Sequence, residues 1–128
     1  IEANEVPFLI DELPILAVAM AFAKGRSRVT GAQELRYKET DRIRELVIQF
    51  KQAGVNCNEL VDGFEIEGQS VLNRRVAIDS CHDHRLGMSF AVLALASQNG
   101  LEIENTDCIK ISFPEFFTSL DNCIRQKN

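Results

Sequence analysis

Three short stretches hold residue types from which anion chemistry is built. The densest is Glu34-Leu-Arg-Tyr-Lys-Glu-Thr-Asp-Arg-Ile-Arg-Glu45, where eight of twelve residues are charged. Arg36, Lys38, Arg42 and Arg44 stand against Glu34, Glu39, Asp41 and Glu45. Ile43, Leu46, Val47, Phe50 and Ala53 then recur at helical spacing, so the charges lie where a loop runs into a helix N-terminus. That end of a helix is positive, because its first N–H groups are unpaired and its dipole points there. Glu39 and Asp41 suit it, whereas Arg42 and Arg44 oppose it, as expected where an anion completes the site. A solvated helix face with weak intrahelical pairs has the same composition.

The other two stretches are also predicted helix entrances. Asp11 precedes the apolar run Leu13–Ala23, and Asp83-His84-Arg85 precedes Leu86–Ser97. Arginines, a lysine and helix N-termini at one end of the fold would suit a small substrate bearing phosphate and carboxylate groups. Carboxylates among them could serve as general acid and base. Asp11 and Asp83 fit equally well as plain N-caps, and His84 as a residue paired within its own loop. The run Asp79-Ser-Cys81-His82-Asp-His84 has metal-ligand residue types. It lacks paired cysteines or a second histidine cluster, and His82 and His84 are the only histidines, so no metal is expected. No Gly-rich phosphate loop of the Walker or dinucleotide type is present, and no cofactor is expected.

Periodicity supplies the elements that must position these residues. Val6–Ile10 reads as a short buried strand. Asp11 then caps an apolar helix with Pro14 in its first turn, ending at Gly25, apolar nearly all round and so expected to be buried. Arg26–Thr30 alternates like a strand, and the second helix ends at Gly54. Val55–Leu60 and Phe64–Glu67 form a hairpin through Val61-Asp62-Gly63. The pattern then restarts with strand Arg75–Asp79, the helix after Asp83, strand Leu101–Glu104 and a last helix. Ser112-Phe-Pro-Glu115 fits a capping box for that helix, with Phe113, Phe117, Leu120 and Ile124 on one face. The chain therefore reads as one strand–helix–strand–helix–strand–strand unit (about 5–69) and an incomplete second one (about 74–126). An unfinished repeat implies open sheet edges.

The 128 residues suffice for one domain with a real core. A net charge of −5 and a pI near 5.0 argue against a nucleic-acid partner. No apolar run is long enough to span a bilayer, and the first residues lack the features of a signal peptide. The four cysteines have no paired spacing, so a reducing cytoplasm is the expected compartment.

Glu34-Leu-Arg-Tyr-Lys-Glu-Thr-Asp-Arg42, Asp83-His-Arg-Leu-Gly-Met88 and Ser112-Phe-Pro-Glu-Phe116, in that order, resemble the 5-enolpyruvylshikimate-3-phosphate synthase family (3-phosphoshikimate 1-carboxyvinyltransferase). Asp11, fourteen residues before Gly25, fits the same pattern. The resemblance covers essentially the whole chain but only the C-terminal part of the enzyme. It implies an α/β fold of repeated βαβαββ units, the enolpyruvyl transferase (inverse α/β prism) fold, with about one and a half units present. The family places its active site between two domains, so the missing N-terminal portion of the enzyme is an implied partner.

The implied reaction moves the enolpyruvyl group of phosphoenolpyruvate to the 5-hydroxyl of shikimate 3-phosphate, releasing phosphate through a tetrahedral ketal. By this resemblance Asp11 contacts the shikimate hydroxyls and acts as base, and Glu39 exchanges a proton with the methylene carbon. Lys38 sits beside the reacting hydroxyl. Arg42 and Arg85 bind the carboxylate and phosphate of phosphoenolpyruvate, with His84 adjoining. One departure stands out. Many members carry a Lys directly before the Ser/Thr-Phe-Pro motif, where this chain has Ile111, with Lys110 one place earlier on the expected opposite face of a strand. The sister enzyme acting on UDP-N-acetylglucosamine shares the fold, but the Lys-Glu-Thr-Asp-Arg and Asp-His-Arg motifs fit the shikimate enzyme better. A non-catalytic anion-binding α/β module is the alternative of a different class. The remaining substrate contacts lie outside this chain, so the fragment alone is expected to lack turnover.

Overall fold

The structure is a computed structural model and describes residues 1–125. The element order is α1 (Val6–Leu9), α2 (Leu13–Phe22), β1 (Arg26–Val29), a 3-10 helix (Gln33–Tyr37), α3 (Arg42–Ala53), β2 (Asn56–Leu60) and β3 (Gly63–Glu67). Then follow β4 (Val76–Asp79), α4 (His84–Ala94), β5 (Leu101–Glu104), α5 (Asp107–Ser112) and α6 (Phe116–Arg125). The last residue of the expected second unit, Gln126, lies outside the described residues. Among the described residues, no helix is long and apolar enough to cross a membrane.

Helix α3 follows its sequence pattern closely. Ile43, Leu46, Val47, Phe50 and Ala53 are all buried. The Asp41 side chain accepts the Arg44 N–H at 3.0 Å, which caps the start. Gly54 turns left-handed at φ +107°, and its N–H donates to the carbonyls of Phe50 and Lys51.

The hairpin pairs Leu60 with Gly63 and Cys57 with Ile66 around a two-residue turn, Val61-Asp62. Asp-Gly located the turn, but Gly63 is needed for another reason. A Cβ there would lie 1.9 Å from the Val29 carbonyl oxygen of β1. Strand β1 pairs antiparallel with β3 on the other side, giving the order β1-β3-β2. The second sheet is a parallel pair, β4-β5, joined through α4 as a parallel connection requires.

Helix α3 packs against both β2 and β4, and so ties the two sheets together. Two of its glutamines bond the backbone of β4. Gln49 accepts the Asp79 N–H at 2.9 Å, and Gln52 donates to the Ala77 carbonyl at 2.7 Å. Helix α2 lies against α4.

Four expectations need correction. Val6–Leu9 is a single helical turn and not a strand. Pro7 has no N–H for a ladder but suits a first helical turn, and the Phe8 side chain is exposed. The Ile1 backbone lies beside β1 instead, accepting the Thr30 N–H and donating its amino group to the Arg28 carbonyl. Asp11 is not a cap: α2 begins after Glu12, with no side-chain cap bond, and ends at Phe22, short of Gly25. Nor is α2 buried all round, since Ile15 and Phe22 face outward while Leu13, Ala17, Val18 and Ala21 face the core. Finally, Asp107–Ser112 is helical. Ser112 therefore ends α5 and does not open α6, and Lys110 pairs with Asp107 one turn back at 2.9 Å. Ile109 drives this helix, seating its side chain over Gly87 of α4 and becoming buried. No residue of α6 is buried; Phe113, Phe117 and Ile124 remain partly exposed.

Phe50 is fully buried, with its ring 6.1 Å from that of Phe90, between α3 and α4. Phe50→Ala is expected to lower unfolding free energy by about 3–5 kcal/mol in guanidinium titration, from lost transfer energy plus a residual cavity.

Candidate functional site

Three helix approaches converge on one guanidinium. Arg42 stands at the first position of α3 and is only 2% exposed. Its Nε donates to Asp83 Oδ2 at 2.7 Å, and its Nη2 to Glu39 Oε2 at 2.6 Å. Its Nη1 reaches Asp11 Oδ1 at 3.4 Å. Asp83 is itself 0% exposed and does two jobs. One oxygen holds Arg42, and the other accepts the N–H groups of Arg85 and Leu86, which caps α4. Burial of this charge pair is tolerated because each guanidinium nitrogen of Arg42 and each carboxylate oxygen of Asp83 finds a partner.

Arg85 completes the cluster from the first turn of α4. Its Nη2 lies 3.3 Å from Asp11 Oδ2, and its Nη1 donates to the Asp11 carbonyl at 3.2 Å. Asp11 thus bridges the two arginines, which its release from capping permits. His84 Nδ1 lies 3.9 Å from Glu39 Oε1, outside hydrogen-bond range. Beside the cluster, an open cleft of about 230 Å³ runs between α2 and α4, with Asp11 and Arg85 at its polar edge and Met88, Val92 and Phe116 along its apolar wall.

Five of the six residues singled out from sequence therefore meet: Asp11, Glu39, Arg42, His84 and Arg85. Lys38 does not join them. Its ammonium is turned along the 3-10 helix to Glu34 Oε1 at 2.8 Å. The sequence left Asp83 between cap and site; it caps α4 and also binds Arg42. Its bond to Arg42 spans 41 residues, and no local pattern signals such a contact.

The loop before α4 is strained and firmly held. Cys81 and His82 both adopt left-handed φ, +54° and +56°, which is rare for consecutive residues other than glycine. Asp79 Oδ1 accepts the Cys81 N–H at 2.7 Å and the Asn105 amide at 2.9 Å. These two bonds, the Asn105 one foremost, hold the Asp79 carboxyl below the usual range. Ser80 anchors the other side through its hydroxyl, which donates to the Asn105 carbonyl at 2.8 Å. Among the described residues, no three His, Cys, Asp or Glu side chains come together as a metal site.

As it stands, the arrangement pairs two guanidinium groups with three carboxylates. A small dianion entering the cluster would compete for Arg42 and Arg85 with Glu39 and Asp11, each of which is partly open to solvent. Displaced, either carboxylate gains the freedom to accept a proton. Asp83, fully enclosed, would go on holding Arg42 by its Nε.

Two measurements follow from this geometry. Asp83→Ala strands a buried guanidinium and removes a helix cap, and should cost about 3–5 kcal/mol in chemical denaturation. The double change Asp83→Leu with Arg42→Met should recover most of that loss. Burial, reinforced by Glu45 at 3.2 Å, pushes the Cys81 thiol up to about 12, and burial pushes Cys57 up to about 11. In iodoacetamide labelling near pH 8 followed by peptide mass spectrometry, Cys81 and Cys57 should stay unmodified while exposed Cys123 reacts.

The chain is similar to known proteins over most of its length. The family model described as EPSP synthase (3-phosphoshikimate 1-carboxyvinyltransferase) matches residues 1–120. A 3-phosphoshikimate 1-carboxyvinyltransferase from Carboxydothermus hydrogenoformans is 53% identical over 115 residues, covering 90% of this chain and 27% of the relative. Another from Sulfurihydrogenibium sp. is 45% identical over 121 residues, covering 94% of this chain and 28% of the relative. A solved structure of EPSP synthase from Acinetobacter baumannii superimposes with a TM-score of 0.83 at 39% identity, covering 89% of this chain and 27% of that one. The chain thus spans little more than a quarter of the length of the relatives it matches. Its mixed α/β backbone has the enolpyruvyl transferase fold, and the chain belongs to the EPSP synthase (3-phosphoshikimate 1-carboxyvinyltransferase) family.

Proposed function

We propose that this chain supplies the carboxylate and arginine side of an enolpyruvyl transferase site, completed by the portion of the enzyme that it does not span. The observation that carries this reading is the buried Arg42, held at once by Asp11, Glu39 and Asp83. An arginine enclosed in this way is oriented before substrate arrives, and its two exchangeable partners are the carboxylates that the chemistry needs as acid and base.

In the reaction, the 5-hydroxyl oxygen of shikimate 3-phosphate bonds to C2 of phosphoenolpyruvate while the methylene carbon gains a proton. The tetrahedral ketal then loses phosphate as the methyl group returns that proton. Asp11 takes the hydroxyl proton, and Glu39 gives and recovers the one at carbon. Arg42 and Arg85 hold the carboxylate and phosphate of phosphoenolpyruvate, with His84 adjoining Glu39. Lys38 reaches the hydroxyl after leaving Glu34, an exposed pairing of small energy. The chain organises these groups as one unit over about 5–69 and part of a second over about 74–126, and works in the cytoplasm.

The test is phosphate release from both substrates, with this chain alone and with the remaining portion supplied. Turnover is expected only in the complemented assembly, and Arg85→Ala should lower it by about 10²–10³-fold. Turnover by the chain alone would overturn the two-part reading. None in a folded, associated assembly would overturn the functional one.

A further inference from the structure

Arg36 has no part in the cluster around Arg42, yet among the described residues its guanidinium is the most heavily engaged side chain outside it. Its Nε donates to the Val61 carbonyl at 3.0 Å, and its Nη2 to the Leu60 carbonyl at 2.7 Å. Its Nη1 donates to Glu59 Oε1 and to Asp41 Oδ2, both at 2.8 Å. The first three acceptors belong to the end of β2 and the turn that follows. The fourth is the N-cap of α3.

That turn is itself fixed to the body of the sheet. Asp62 accepts the Gly31 N–H on its side chain and the Ala32 N–H on its carbonyl, each at 2.7 Å. The path is therefore continuous. The exit of β1 holds the turn, the turn holds Arg36, Arg36 holds one oxygen of Asp41, and the other oxygen holds the Arg44 N–H. Between Arg36 and Arg44 lie Glu39 and Arg42. An exposed loop-to-helix junction would otherwise fray, since its first amides have no partners within the helix.

We propose that Arg36 is a positioning residue for the transfer reaction: by clamping Asp41 to the β2–β3 turn, it fixes the first turn of α3 and so the placement of Glu39 and Arg42. The inference rests on the transferase reading for its catalytic consequence, but the clamp itself is independent of it. A lysine cannot replace the clamp, because one ammonium has no planar fork to reach acceptors on two separate segments.

The experiment uses the complemented assembly carrying Arg36→Gln or Arg36→Lys. Ile66→Val, a trimming of the same sheet's core, serves as the control for lost stability alone. Turnover is read beside amide hydrogen exchange at Arg44. Both Arg36 variants should exchange the Arg44 amide faster than the parent, while Ile66→Val leaves it unchanged. The glutamine variant should lose about 10²-fold in kcat/KM for phosphoenolpyruvate, the scale expected for a small misplacement of catalytic groups. Lysine should not restore it, and Ile66→Val should keep the parent value. Unchanged exchange at Arg44, parent-like turnover in Arg36→Gln, rescue by lysine, or an equal loss in Ile66→Val would each overturn the proposal. Should the unsubstituted assembly show no turnover, the functional reading has failed, and exchange at Arg44 alone decides whether the clamp exists.

Discussion

A guanidinium kept almost wholly from water is the constraint on which the rest of this structure depends. Removing such a charge from solvent is costly, and only close, well-oriented carboxylates offset the loss. Arg42 draws its three from separate segments: the α1–α2 link, the approach to α3 and the start of α4. All three must be in place before the charge is satisfied. Local folding errors at any of them therefore leave a buried charge partly unpaired, and the penalty selects the assembled arrangement. The exposed ion pairs at the periphery are of another kind. Arg26–Glu67 and Lys110–Asp107 sit in solvent and contribute little.

The framework around that charge is built to keep two small sheets in fixed relation. The two-stranded sheet is too small to be stable by itself and needs a helix packed against it. Helix α3 supplies the link, with its apolar stripe on β2 and β3 and two glutamines on the backbone of β4. Because Arg42 opens this same helix and Asp79 closes β4, the loop carrying Asp83 is referenced to the helix that carries its partner. The strained Cys81-His82 pair persists in that setting because Asp79, Ser80 and Asn105 over-determine the loop.

Much of this was legible in the sequence, for reasons that differ by element. Helix α3 is legible from its stripe, the acids at its entrance and its terminal Gly54, which agree with one another and with tertiary packing. The β2–β3 hairpin was found through Asp-Gly, although Gly63 serves a close approach to Val29 and not a positive φ. Val6–Leu9 was misread because a short apolar run does not distinguish a strand from a helical turn, and Pro7 had weighed for the turn. Helix α5 was missed because its signal is a single buried side chain, Ile109, seated over Gly87. At the site, residue types and helix entrances pointed to Asp11, Glu39, Arg42 and Arg85. The dual use of Asp83 and the hold of Arg36 on the β2–β3 turn rest on contacts across 41 residues and across 23 to 25 residues, which periodicity cannot reveal.

Cys81 and His82 carry a consequence for the history of this chain. Side chains branched at Cβ are excluded from left-handed backbone far more strongly than unbranched or small polar ones. The repertoire at both positions is therefore narrowed by torsion before any chemistry is considered. Asparagine, aspartate or glycine would satisfy the same requirement without a thiol or an imidazole. Variation among lineages at this loop should follow backbone tolerance, and a cysteine beside the arginine–carboxylate cluster can be there for its slender shape alone.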